Sequence, residues 1–201
     1  MLSVLRRTPF ALACAAALVA ACSKADNTGD SARAADSTAV AATSTSAMTP
    51  AAPALTDANI VALLDGANVA DSSAGSVAAA RATNAEVKSF GRDMMRDHHA
   101  LRVAGQDLAK KLNVTPQLPA GDNSAAAAAA WQDSLTAMPR GAAWDKAYIN
   151  HEVTYHEAVL ATAQAGLAAA QNEELKALIQ KAAPNVKAHL DHAKQIQAKL
   201  Q

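Results

Sequence analysis

Cysteine is missing from everything after residue 22: Cys14 and Cys22 are the only two in 201 residues. The rest of the chain can build neither a disulfide nor a thiolate metal site, so the redox compartment has to be read from a targeting signal. Aromatic residues are scarce, at 3%, and 18 basic residues balance 18 acidic ones. With no basic excess to release counterions and no aromatic platform for stacking bases, nothing supports a nucleic-acid surface. Nor is there a nucleophile–base pair, a glycine-rich phosphate loop or a paired catalytic carboxylate, so the common enzyme signatures are absent. The spacing Glu-x-x-His does not occur. Di-iron carboxylate bundles take that spacing from two of their helices, so a conventional ferroxidase or iron-storage role is disfavoured.

What is abundant is alanine, with leucine, glutamine, lysine and glutamate, the residues that lose least on entering a helix, and an all-α domain is the natural expectation. The N-terminus carries an address. Arg6 and Arg7 precede an apolar stretch, Ala11 to Ala21, that is too short to span a bilayer and reads as a secretory signal over 1–21. It ends Leu18-Val19-Ala20-Ala21-Cys22, which resembles the lipobox of bacterial lipoproteins, where cleavage leaves an acylated cysteine as the new N-terminus. The alternative is plain secretion, with Cys22 incidental. Multiple acyl chains anchor stably where one does not. By the same resemblance Ser23 favours the outer membrane, giving a lipid-anchored protein on the periplasmic side of the envelope. Residues 22–53 are mostly Ala, Ser, Thr, Asp and Pro, with little to bury, and read as a disordered tether to a folded domain over 54–201. Loss of Arg6 and Arg7 leaves 16 basic residues against 18 acidic, so charge does not point to a protein partner.

Periodicity from Thr56 onward predicts four long helices. Thr56 caps the first, which runs to about Ala82 with Ile60, Leu64, Ala67, Asp71, Ala74 and Ala78 on one stripe. Asn84 caps the second, whose buried side is marked by Val87, Phe90, Met94, His98, Leu101, Leu108 and Leu112. The third spans about Ala142 to Ala170, with Ile149, Val153, His156, Leu160, Ala163 and Leu167 at steps of three and four. Asn172 caps the fourth, where Leu175, Leu178, Ala182, Val186, His189, Ala193, Ile196 and Leu200 form the stripe, and Pro184 predicts a kink or restart. The segment 122–141, an alanine run with Trp131 and Leu135, can form a short extra helix between the second and third. Short connections make each flanking pair an antiparallel hairpin, so the expected architecture is an up-down-up-down four-helix bundle.

Each stripe is interrupted by one polar residue: Asp71, His98, His156 or His189. A helix rises about 1.5 Å per residue, and counting from the shared turns places all four at one level of the bundle. Three imidazoles and a carboxylate in an apolar core can bind a divalent metal, since neutral His suits zinc, copper, iron and nickel. Asp97, Tyr148, Glu152 and His192 are placed to be further ligands or to orient those ligands. The other reading is a set of hydrogen-bonded core histidines that fixes helix register and binds nothing. His99 and His151 fall off the stripes and are expected in solvent. Met94, Met95, Trp144 and Tyr155 are expected in the core.

The stretches RATNAEVKSFGRDMMRDHHAL, WDKAYINHEVTYHEAVL and APNVKAHLDHA resemble successive motifs of the bacterial ferritin-like family called domain of unknown function 4142, over roughly Leu55 to Leu200. Its Asp-His motif falls on Asp97 and His98, its Asp-x-x-Tyr on Asp145 and Tyr148, its later His on His156, and its Pro-x4-His on Pro184 and His189. Asp71 stands where the family usually has Glu. The resemblance implies a ferritin-like four-helix bundle, often exported or lipid-anchored, and lends no activity. Three functions remain open: a metal-binding envelope protein, an enzyme using the same layer with an open coordination position, and a structural or interaction module held by its tether.

Overall fold

In the computed structural model, residues 55–200 are described. The expected signal over 1–21, the expected lipidation at Cys22 and the expected tether over 22–53 lie outside them. Five helices and no strand make up the described residues: α1 (Asp57–Arg81), α2 (Ala85–Lys111), α3 (Ser124–Ala137), α4 (Ala142–Ala169) and α5 (Glu173–Lys199). None of these helices is long and apolar enough to cross a membrane.

Capping chemistry sets the starts. The Thr56 hydroxyl accepts from Asn59 N–H while the Asn59 side chain returns to the Thr56 backbone, so two otherwise orphaned donors are satisfied at once. The Asn84 side chain accepts from the N–H groups of Glu86 and Val87, and that of Asn172 from Glu174 and Leu175. α5 runs unbroken through Pro184, so of the kink or restart expected there the restart does not occur. Pro184 and Gln180 are both exposed, so water can reach the carbonyl that lacks its intrahelical donor.

α1 packs along α2, and α4 along α5; α1 also meets α3 and α4, and α2 meets α5. Numbers run in opposite senses along the first pair. Asp65 binds Arg102 at 3.1 Å, Asn68 meets His98, and Gly75 lies against Gly91. The last contact is backbone-close: a Cβ on Gly75 would sit 2.6 Å from the Gly91 carbonyl oxygen. Two aspartates then tie one pair to the other. Asp145, buried in the first turn of α4, accepts from Thr83 N–H at 3.0 Å and Asn84 N–H at 2.7 Å in the α1–α2 turn. Asp57, in the first turn of α1, accepts from Gln171 N–H at 2.8 Å and Asn172 N–H at 3.1 Å in the α4–α5 turn.

Two apolar clusters fill the interior. One joins Phe90, Met94, Leu135, Trp144, Tyr148, Ile149 and Ile196; the other gathers Ile60, Val61, Leu175 and Ile179 nearer the opposite end. Trp144 donates its indole N–H to the Leu135 carbonyl at 2.8 Å, which seats α3 on the start of α4. Met95, expected in the core, is 42% exposed, because its neighbour Met94 takes the inward position on α2.

Candidate metal centre

Asp71, His98, His156 and His189, one from each long helix, are all buried. The three imidazoles meet: ring centroids are 5.4 Å apart for His98–His156, 5.2 Å for His98–His189 and 5.7 Å for His156–His189. One ring nitrogen from each lies within 4.8 Å of the other two. The level inferred by counting residues from the turns is the level at which these rings gather.

The hydrogen bonds decide which nitrogen each ring presents. His98 Nδ1 lies 2.9 Å from Asn68 Oδ1, His156 Nδ1 lies 2.9 Å from the Glu152 carbonyl, and His189 Nε2 lies 3.1 Å from Asp97 Oδ2. All three partners are oxygens that accept, so each of these nitrogens carries the proton. The lone pairs then belong to His98 Nε2, His156 Nε2 and His189 Nδ1. Those are three of the buried polar atoms with no hydrogen-bond partner. Orphaned acceptors in a dry interior are costly unless something positive meets them.

Electrostatics keep the rings neutral. Burial lowers His98 to about 3, assisted by the neighbouring His156 and His189. Burial likewise lowers His156 to about 4, and lowers His189 against the opposing pull of Asp97. A neutral imidazole is the form that binds a metal. Asp97 is held below its usual range, first by Arg96 and also by His189, so it remains a carboxylate that can fix the His189 tautomer.

Asp71 does not join the imidazole set. It groups with Glu152 and His156, one ligand atom from each lying within 4.8 Å of the others. Its Oδ2 is 3.4 Å from His98 Nδ1, the protonated side of that ring, and Glu152 Oε2 is 3.4 Å from His156 Nδ1. Two carboxyl groups therefore back two of the imidazoles from behind. Burial raises both Asp71 and Glu152 well above the ordinary carboxylate range. Tyr148, also raised chiefly by burial, adjoins Glu152.

Three expectations are corrected. His192, expected as a further ligand or an orienting partner, stands at the solvent edge of the α5 stripe, where it is exposed and packs edge-on against Phe90 of α2 with centroids 5.4 Å apart. His151, expected in solvent, is half-buried. It stacks on Trp131 at 4.0 Å and on Tyr155 at 5.4 Å, because α3 folds back over the outer face of α4. Asp71, expected as a ligand alongside the three imidazoles, lies instead with Glu152 on the protonated side of His98. Sequence reasoning missed Asn68, whose signal was its place three residues before Asp71 on α1.

Among solved structures, the chain is similar to the crystal structure of a DUF305 fragment from Deinococcus radiodurans, at 13% identity and a TM-score of 0.62. The match covers 73% of this chain and 99% of that one, a likeness of fold. No curated protein matches. The model of the family described as a domain of unknown function, DUF4142, matches residues 42–196, and the chain belongs to that family.

Proposed function

We propose that this domain binds a divalent transition metal through His98 Nε2, His156 Nε2 and His189 Nδ1. The observation that carries the reading is that three buried imidazoles each bring a ring nitrogen within 4.8 Å of the other two, while one nitrogen of each ring faces an acceptor and the other has no hydrogen-bond partner. A network that served packing alone would spend those lone pairs on hydrogen bonds within itself. Neutral nitrogen donors suit zinc, copper, nickel or ferrous iron, and three protein ligands leave a four-coordinate ion one further position. Asp71 and Glu152 lie behind the ligands, where they would tune the basicity of the rings.

The proposal extends to architecture and address. The four long helices form a ferritin-like, up-down-up-down bundle, and α3 is the extra helix in its long connection. Cys22 carries the lipid, and residues 22–53 tether the domain to the periplasmic face of the outer membrane. Intact mass of the membrane-extracted chain tests the anchor; an unacylated mature chain overturns it.

Elemental analysis of the purified protein, with apo protein titrated by a panel of divalent metals, tests the centre. His98→Ala and His156→Ala each abolish stoichiometric binding. Metal content unchanged in both variants removes the proposal and leaves a buried network that only specifies packing.

A further inference from the structure

Behind the imidazole set lies a second convergence, made of oxygens. Asp71 of α1 and Glu152 and Tyr148 of α4 are 2%, 0% and 0% exposed. Asp71 Oδ2, both Glu152 carboxyl oxygens and the Tyr148 hydroxyl make no hydrogen bond. Asp71, Glu152 and His156 each bring one candidate ligand atom within 4.8 Å of the other two. Tyr148 stands one turn before Glu152 on α4, so its hydroxyl comes from the same helix face. A polar cluster that served packing alone would close on itself, the phenol donating to a carboxyl oxygen. This one does not close. Unpartnered oxygens gathered in a dry interior are costly until something positive stands between them.

We propose that Asp71, Glu152 and Tyr148 hold a second divalent cation, of the oxygen-seeking class represented by Mn2+, beside the imidazole set and distinct from it. Ligand chemistry separates the two sets: carboxylate oxygens suit magnesium, calcium and manganese, whereas imidazole nitrogens suit zinc, copper and nickel. Coordination narrows the first group. The three side chains offer at most two oxygens from each carboxylate and one from the phenol, short of the roughly six to eight that Ca2+ takes. Mg2+ usually keeps several of its waters, which a fully buried set does not accommodate. Mn2+, whose half-filled d shell imposes no geometry, takes carboxylates in smaller and less regular sets. The His156 ring stands between the two sets, with Nδ1 3.4 Å from Glu152 Oε2, and Asp71 Oδ2 lies 3.4 Å from His98 Nδ1. Each carboxylate that binds the cation therefore also faces a ring N–H, the link through which carboxylates orient metal-binding imidazoles. The proposal stands whether or not the imidazoles hold metal.

Mn2+ is the probe, added to the full mature chain stripped of metal, and Zn2+ reports on the imidazoles in parallel. Electron paramagnetic resonance counts bound Mn2+ from the loss of the free aqueous signal. Wild type takes up equimolar Mn2+, and does so again after equimolar zinc has bound. Asp71→Asn and Glu152→Gln each lose Mn2+ uptake and retain equimolar zinc, whereas His98→Ala loses zinc and retains Mn2+. Failure of this site is thereby distinguishable from failure of the imidazole centre. Tyr148→Phe, which removes only the hydroxyl, keeps the helical circular dichroism and weakens Mn2+ binding about tenfold. A wild type that binds no Mn2+, uptake that survives both carboxyl variants, or zinc displacing Mn2+ one for one overturns the proposal. So does Mg2+ or Ca2+ binding as tightly as Mn2+.

Discussion

His98 donates its Nδ1 proton to Asn68 Oδ1 at 2.9 Å, and the other nitrogen of that ring meets nothing. One amide on a neighbouring helix thereby fixes both the tautomer and the aim of a candidate ligand. Asn68 is itself held by α1, its Nδ2 donating to the Leu64 carbonyl at 2.8 Å.

Asn68→Ala therefore weakens metal binding without removing a ligand. Loss of such a supporting partner lowers affinity by roughly 10–100-fold. Competition against a chromophoric chelator measures the change, and far-ultraviolet circular dichroism shows the helices intact. Affinity equal to wild type would mean that the His98 ring is oriented by packing alone.

Acid should unfold the apo domain through its imidazoles. The unfolded rings take up protons near 6.5, whereas folded His98 and His156 resist until about 3 and about 4. Groups whose folded pKa is depressed in this way contribute stability that is complete above about 6.5 and is lost as pH falls toward about 4. The Tm of the apo protein falls across that window, and bound metal adds most at its upper end. A flat apo profile would contradict the neutral, buried assignment of these rings.

The carboxyl pair acts in the opposite direction. Asp71 and Glu152 are raised in the fold, so their protonated forms favour folding at low pH and that contribution is lost as pH rises through the folded values. Glu152→Gln removes one ionisation, so the apo variant has a higher Tm than wild type at pH 8 and no advantage at pH 4. Thermal melts at the two pH values decide it; a variant less stable than wild type at pH 8 refutes the assignment.

Two glycines of α1 should respond oppositely to alanine. Gly66 has open space where a Cβ would stand, and Gly66→Ala stabilises by about 0.5–1 kcal/mol through helix propensity. A Cβ on Gly75 would meet the Gly91 carbonyl oxygen at 2.6 Å and the Met94 Cβ at 2.8 Å. Overpacking of that kind costs about 1–3 kcal/mol, so Gly75→Ala is destabilising despite the better propensity. Urea midpoints separate the two cases.

Much of the helical plan was legible because its signals are local. Thr56, Asn84 and Asn172 each cap the helix predicted for them, and the stripes through Asp71, His98, His156 and His189 face inward. The rest depends on how faces are turned against one another. Spacing placed Asp71 on the buried side but could not show that it lies behind His98, beside Glu152, outside the ring set. His151 looked solvated because its burial comes from Trp131, on a helix whose docking no periodicity in α4 encodes. Asn68 was passed over because a single amide on a helix carries no pattern.

Asp145 closes the turn between α1 and α2 from the start of α4, and Asp57 closes the turn between α4 and α5 from the start of α1. Each hairpin thus holds the other's latch. Neither can fray from its bend without stripping donors from a carboxylate that belongs to its neighbour, so amide exchange at Asn84 and Asn172 is tied to separation of the hairpins. The two bends, surface features by position, behave as members of the cooperative core.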